Sequence, residues 1–177
     1  MSVLFADVRG YTTLTRTLGV ETLAPILDEF FRMASEVVIG HDGIVDHFLG
    51  DAVMAFFNVP IKHEDHIARA IAAALEIQMA LPRLDARLAG AEGLRVGVGI
   101  HTGLAFVGTL GSTSPKDYTA VGDAVNIAAR LQGQAAPGEV LVTDTAYEAV
   151  RAAFPHAQRQ VYEVKGIPDP IVAYVLT

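Results

Sequence analysis

An α+β fold built on a split β-α-β core, the ferredoxin-like arrangement, is predicted by three observations. The first is the element order read from hydropathy period: β-α-α-β-β-α-β, then additional C-terminal strands and helices. The second is a hairpin signal in which two β-type runs, 44–48 and 52–59, flank Leu49-Gly50-Asp51. The third is the apolar run over residues 2–8, which this layout places beside that hairpin in an antiparallel sheet covered by helices on one face.

Taken in order, residues 2–8 start a strand almost at the first residue, so the chain is expected to be a domain cut from a longer protein. Helical spacing follows over 12–18 and 21–39, with Leu23, Ile26, Leu27, Phe30, Phe31 and Ala34 on one face. Pro25 is expected in the first turn of the second helix, where proline is tolerated, and Gly43 ends the segment. Pro60 is expected to stop the second hairpin strand. An Ala-rich helix over 64–88 is expected to break at Pro82 and to bury Ala68, Ile71, Ala72, Leu75 and Met79.

Strands are expected over 94–101, with Gly97 and Gly99 inside, and over 104–110 after Thr102-Gly103. Residues 111–116 read as a polar loop and 123–134 as a helix. A short strand over 140–143 and a helix over 145–153 come next. A final hairpin pairs 160–164 with 171–176 around Lys165-Gly166-Ile167-Pro168-Asp169.

Composition bounds the function. At 177 residues, 51% of them hydrophobic, the chain forms one domain, 1–177, with a sizeable core, and is not disordered. A net charge of −7 argues against a general nucleic-acid binder. The absence of cysteine excludes disulfides and thiolate metal sites, and suits a reducing cytoplasm. Neither a signal peptide nor a membrane-spanning apolar run is visible.

Two carboxylates carry the chemical signal. Asp7 stands in Phe5-Ala6-Asp7-Val8-Arg9-Gly10-Tyr11-Thr12 and Asp51 in Phe48-Leu49-Gly50-Asp51-Ala52-Val53-Met54-Ala55. Aspartate is depleted in strands, and one that closes an apolar run points out at the strand end, where hard cations and phosphates bind. Turn chemistry explains a single Gly-Asp equally well. The predicted topology brings both to one end of the sheet, where they repel unless a cation lies between them.

These motifs resemble the class III nucleotidyl cyclases, which make cyclic AMP or cyclic GMP from the nucleoside triphosphate. The two aspartate segments look like the family's metal motifs. Gly99-Ile100-His101-Thr102-Gly103 resembles its fourth-strand signature, and Val121-Gly122-Asp123-Ala124-Val125-Asn126-Ile127-Ala128-Ala129-Arg130-Leu131 its catalytic helix. Val164-Lys165-Gly166-Ile167 resembles its closing phosphate-binding strand. Five motifs in the family's order cover nearly the whole chain.

The resemblance implies that Asp7, Asp51 and the backbone carbonyl of Val8 hold two divalent cations, Mg²⁺ or Mn²⁺. It implies that Asn126 orients the ribose, that Arg130 binds the α-phosphate in the transition state, and that Lys165 binds the triphosphate. Spacing alone puts Asn126 and Arg130 on one helix face. The implied active form is a homodimer, with Asp7 and Asp51 from one protomer and His47, Thr119, Asn126, Arg130 and Lys165 from the other. Where the family has a phosphate-proximal arginine on the fourth strand this chain has Gly97, with Arg95 two residues earlier on the same face.

Two positions depart from the adenylate-forming pattern. The lysine three residues before the Gly-Asp glycine is His47, and the aspartate three residues before the catalytic-helix glycine is Thr119, as in a large bacterial subset. Those positions read the purine edge in the family. Imidazole and hydroxyl can each donate or accept, so neither residue by itself commits to adenine or guanine. The glutamate and cysteine of guanylate-forming relatives are absent. ATP is the expected substrate, with GTP or a pyrimidine nucleotide, or a non-catalytic nucleotide-binding role, as alternatives. A polymerase-like palm would need a different hairpin from Leu49-Gly50-Asp51-Ala52-Val53. His63-Glu64-Asp65-His66 lacks HExxH spacing and reads as capping chemistry at a helix start, and Gly97-Val98-Gly99 is too short for a dinucleotide fingerprint.

Overall fold

A computed structural model describes residues 1–85, 93–110 and 117–176. The elements are β1 (Ser2–Val8), α1 (Tyr11–Leu18), α2 (Val20–Gly40), β2 (Ile44–Leu49), β3 (Ala52–Phe57), α3 (His66–Ala80) and α4 (Pro82–Asp85). They continue as β4 (Val96–Thr102), β5 (Phe106–Leu110), β6 (Asp117–Val121), α5 (Asp123–Gln132), β7 (Val140–Thr143), α6 (Asp144–Tyr147), β8 (Gln158–Tyr162) and β9 (Ile171–Leu176).

One sheet runs in the order β2-β3-β1-β4-β7-β9-β8, and its first four strands have the split β-α-β arrangement. β1 is central, with Asp7 opposite Ala52 of β3 and Gly97 of β4. The sheet is mixed, because β4 and β7 run parallel while the other pairs are antiparallel.

Helices cover both faces, not one. Leu4, Ala6 and Val8 of β1 face a core shared with Phe30, Ala34 and Val38 of α2 and Ile71, Ala74 and Ile77 of α3. Val3 and Phe5 point the other way, onto Ala124 and Ala128 of α5. That is why β1 is apolar without alternation: it is buried on both sides. α5 crosses β4 where Gly99 has no side chain; a Cβ there would lie 2.6 Å from Gln132 Cα and 2.8 Å from the Ala128 carbonyl oxygen.

Several expectations are corrected. α2 starts at Val20, so Pro25 lies inside the helix, in its second turn, and leaves the Glu21 carbonyl without its i+4 donor. α2 ends with Asp42 at φ 59°, its N–H donating to the Ile39 carbonyl and that of Gly43 to Val38, a Schellman motif. β3 stops at Phe57, before Pro60, because Asn58 turns the chain at φ 76°.

In α3 the buried face is Ala70, Ile71, Ala73, Ala74 and Ile77; Ala68 and Met79 are exposed. Alternative helical stripes in an Ala-rich segment have nearly equal apolar content, so spacing does not phase the helix. The break at Pro82 is present, and residues 86–88 of the expected helix lie outside the described residues. The 111–116 loop also lies outside them. The 145–153 helix shrinks to α6 followed by turns. β6 was not expected, and with β5 it forms a separate two-stranded sheet. Asp65 makes no capping bond; it pairs with Arg69, while His66 Nδ1 meets the buried Ser2 hydroxyl at 2.8 Å. No helix among the described residues is long and apolar enough to cross a membrane.

Candidate functional site

Asp7 is the penultimate residue of β1, and Asp51 sits in the β2–β3 turn that Gly50 allows at φ 67°. The Val8 N–H donates to the Asp51 carbonyl at 3.3 Å, which fixes the turn against the end of β1. The two carboxyl groups therefore meet at one end of the sheet, although 44 positions separate them in sequence. Burial pushes the Asp51 carboxyl above its ordinary pKa, and the charge of Asp7 raises it further.

Two donors converge on one oxygen of Asp7. Gln132 Nε2, at the end of α5, donates to Oδ2 at 2.9 Å, and Arg9 Nη1 approaches the same atom at 3.3 Å. Arg9 Nη2 also donates to the Gln132 carbonyl, tying the guanidinium to the end of α5. The guanidinium occupies the space over Gly97, where a Cβ would lie 2.6 Å from Arg9 Cζ. The cation beside the metal-type carboxylates is thus Arg9. Arg95 is exposed, lies just before β4, and meets this region through its backbone, its carbonyl accepting from the Arg9 N–H at 2.7 Å.

The donor chemistry fits hard divalent cations. Two carboxylates with a backbone carbonyl nearby offer only oxygen, and Mg²⁺ is commonly held by one or two carboxylates with substrate phosphates completing its shell. No cluster of three or more His or acidic side chains suited to a metal occurs among the described residues, so these carboxylates do not form a closed cage.

His47 and Thr119 come together through a third residue. Val45 of β2 pairs with Ala55 and His47 with Met54, so Asp46 is the extra residue of a β-bulge. Its side chain is fully buried. Thr119 Oγ1, on β6, donates to Asp46 Oδ2 at 2.7 Å, and His47 Nδ1 lies 3.1 Å from Oδ1.

Asn126 and Arg130 are both exposed on α5, away from the stripe Ala124, Ala128 and Leu131 that packs on the sheet. They therefore face away from the sheet that carries Asp7 of the same chain. Lys165 is exposed in the β8–β9 connection, in a depression with Val164, Ile167 and Pro168. The fold gathers Asp7, Val8 and Asp51 in one place and His47 with Thr119 in a second, and presents Asn126 and Arg130 outward.

Sequence reasoning missed Asp46, Arg9 and Gln132. An acidic residue inside a strand was a signal for Asp46. Gly97 in place of an arginine signalled room for a guanidinium, but not whose. Gln132 gave no signal, because only the crossing of α5 over β4 brings it to Asp7.

Residues 1–177 match the family model described as adenylate and guanylate cyclase catalytic domain. Over 135 residues, 75% of the chain, it is 37% identical to adenylate cyclase 1 of Rhizobium meliloti (strain 1021), and it spans 20% of that protein's length. The crystal structure of the guanylyl cyclase Cya2 superposes with a TM-score of 0.89 at 30% identity, covering 98% of this chain and 89% of that one. That of the adenylyl cyclase CyaB from P. aeruginosa also gives 0.89, at 28% identity, covering 99% and 93%.

Proposed function

Because this chain belongs to the adenylate and guanylate cyclase catalytic-domain family, we propose that it converts ATP to cyclic AMP and pyrophosphate, at sites shared between two copies of the chain. The observation that carries the reading is the meeting of Asp7 and Asp51 at one end of the sheet while α5 turns Asn126 and Arg130 outward. The ribose 3′-oxygen attacks the α-phosphorus, the bond to pyrophosphate breaks, and the hydroxyl proton leaves to water. Such a transfer needs positioning and charge neutralisation more than covalent help. Divalent cations on Asp7, Asp51 and the Val8 carbonyl would supply charge neutralisation at the phosphates and favour ionisation of the attacking hydroxyl.

The residues of the chain do the rest. Asn126 orients the ribose, Arg130 stabilises the charge that develops on the α-phosphate, and Lys165 binds the leaving phosphates. His47 and Thr119 read the base. A dimer is supported by apolar surface near these groups: Phe48 and Leu49 at the end of β2, and the cross-strand pair Phe106 and Val121, are exposed. A twofold arrangement completes both sites.

Subunit mixing tests the arrangement. Asp7→Ala and Arg130→Ala are each expected to be inactive, and their mixture to recover about a quarter of parental activity, since half the dimers are mixed and half of their sites are intact. No recovery despite demonstrated subunit exchange refutes the shared site. The second reading is a GTP cyclase, favoured by the equal structural likeness to a guanylyl cyclase. Mass spectrometry of products from all four nucleoside triphosphates, with Mg²⁺ and with Mn²⁺, separates the two.

A further inference from the structure

Asp46 joins His47 to Thr119 but has no role in the proposed reaction, and it is tightly constrained. Neighbouring side chains on a regular strand point to opposite faces. The bulge at Asp46 breaks that alternation and brings its Oδ1 within 3.1 Å of the Nδ1 of the next residue, His47. The carboxyl group is fully buried, and its Oδ1 receives no hydrogen bond of good geometry. Holding a buried carboxyl oxygen in that state costs stability unless something else is gained.

The gain lies across the site. Thr119 donates its only hydroxyl proton to Asp46 Oδ2 at 2.7 Å. A threonine hydroxyl is otherwise free to rotate and can serve a ligand as donor or acceptor. With its proton committed inward, the Thr119 oxygen offers a ligand only lone pairs. It can then accept from an exocyclic amine but meets a carbonyl oxygen with two acceptors face to face. Adenine carries an amine at its 6-position, and guanine carries a carbonyl.

We infer that Asp46 is the positioning residue for base choice: it holds Thr119 as an acceptor and so selects a 6-aminopurine triphosphate over a 6-oxopurine one. The inference rests on the cyclase reading above and names the substrate class of that site. It changes what the residues His47 and Thr119 say alone, since the ambivalence of Thr119 is removed by a third residue buried beneath it.

The test compares kcat/KM for ATP and GTP in the parent, Asp46→Asn, Thr119→Ser and Thr119→Val, with calorimetric binding of non-cyclisable ATP and GTP analogues alongside. Asp46→Asn can present an amide N–H₂ to Thr119, whose proton then turns towards the ligand. The ATP:GTP ratio is expected to fall at least about tenfold, the scale of one hydrogen bond gained or lost. Thr119→Ser keeps the bond to Asp46 and should retain the ratio, while Thr119→Val should lose it. In the Thr119→Val background, Asp46→Asn should alter the ratio less than about twofold.

Equal losses for both nucleotides in Asp46→Asn, or an unchanged ratio, overturn the inference by leaving Asp46 a purely structural residue. If Asp46→Asn does not fold, the Ser and Val variants decide: equal ratios in both overturn it. If the parent cyclises neither nucleotide, the cyclase reading fails by itself. Calorimetry then decides the inference: an ATP-analogue preference lost in Thr119→Val upholds it, and no preference, or no binding of either, overturns it.

Discussion

Gly97 and Gly99 lie on the same face of β4, and each leaves room for a different neighbour, so alanine at the two positions should have unequal costs. At Gly99 the obstacles are backbone: Gln132 Cα at 2.6 Å and the Ala128 carbonyl at 2.8 Å from an added Cβ. Nothing can rotate away, and the last turn of α5 must lift from the sheet that buries Ala128 and Leu131. Overpacking of this kind is expected to cost about 3 kcal/mol. At Gly97 the obstacle is the Arg9 guanidinium, the far end of a flexible side chain. Its displacement breaks the bonds to Asp7 and the Gln132 carbonyl, but both charged groups keep some solvent contact. The loss is about 1–2 kcal/mol, partly offset by the roughly 0.5–1 kcal/mol gained when alanine replaces glycine in a strand. A net cost near 1 kcal/mol is expected for Gly97→Ala. In an Arg9→Ala background the same change should be neutral or slightly stabilising, giving a coupling of about 1–2 kcal/mol. Urea unfolding of the four proteins measures this. Additive effects, or a Gly97→Ala cost equal to that of Gly99→Ala, would refute the placement of the guanidinium over Gly97.

Three further outcomes are expected. Burial, and secondarily the Met1 ammonium, pull His101 down to about 4 while its Nδ1 faces the Thr143 hydroxyl at 2.8 Å. Between that value and the unfolded value near 6.5 only the unfolded chain takes up the proton, so stability falls as pH drops through this window, by about 2 kcal/mol once partial exposure is allowed for. His101→Gln should flatten that part of the urea midpoint–pH curve, and curves parallel to the parent would refute the assignment. Asp51→Asn should raise the melting temperature of the metal-free protein, because it removes a partly buried charge facing Asp7, and should abolish the melting shift caused by Mn²⁺; a retained shift counts against the carboxylate pair as the cation site. Arg130→Ala should lower kcat by roughly 10²–10³ with little change in calorimetric nucleotide binding; equal losses in both would place Arg130 in ground-state binding.

What the sequence revealed follows from how local each signal is. Ser2–Val8 and Val140–Thr143 were readable to the residue, because each is a short apolar β run. The hairpin turn at Gly50-Asp51 announced itself by glycine chemistry. β6 was not readable: Asp117-Tyr118-Thr119-Ala120-Val121 has no clear alternation, and its pairing with β5 supplies the reason it is a strand. The face of α3 was misplaced because alanine gives almost no contrast between stripes, and the sheet decides which one is buried.

The site divides in the same way. Asp7 and Asp51 stood out as carboxylates closing apolar runs beside glycines, and Asn126 and Arg130 through the resemblance of their segment to the family's catalytic helix. Their supporting residues did not, since support is a property of tertiary contact: Arg9 matters because Gly97 is empty beneath it, Gln132 because α5 ends over β4, and Asp46 because a bulge turns it inward. The consequence is directional. A reading of His47 and Thr119 alone leaves the base undecided, as each can reverse its hydrogen-bonding sense. With the Thr119 proton spent on a buried carboxyl group, reversing that sense would leave a second oxygen of Asp46 without a donor inside the protein. On the proposed reading, a preference for an amine at the base edge would be set by the cost of an unsatisfied carboxyl oxygen beneath the site, not by the identity of the residues that touch the base.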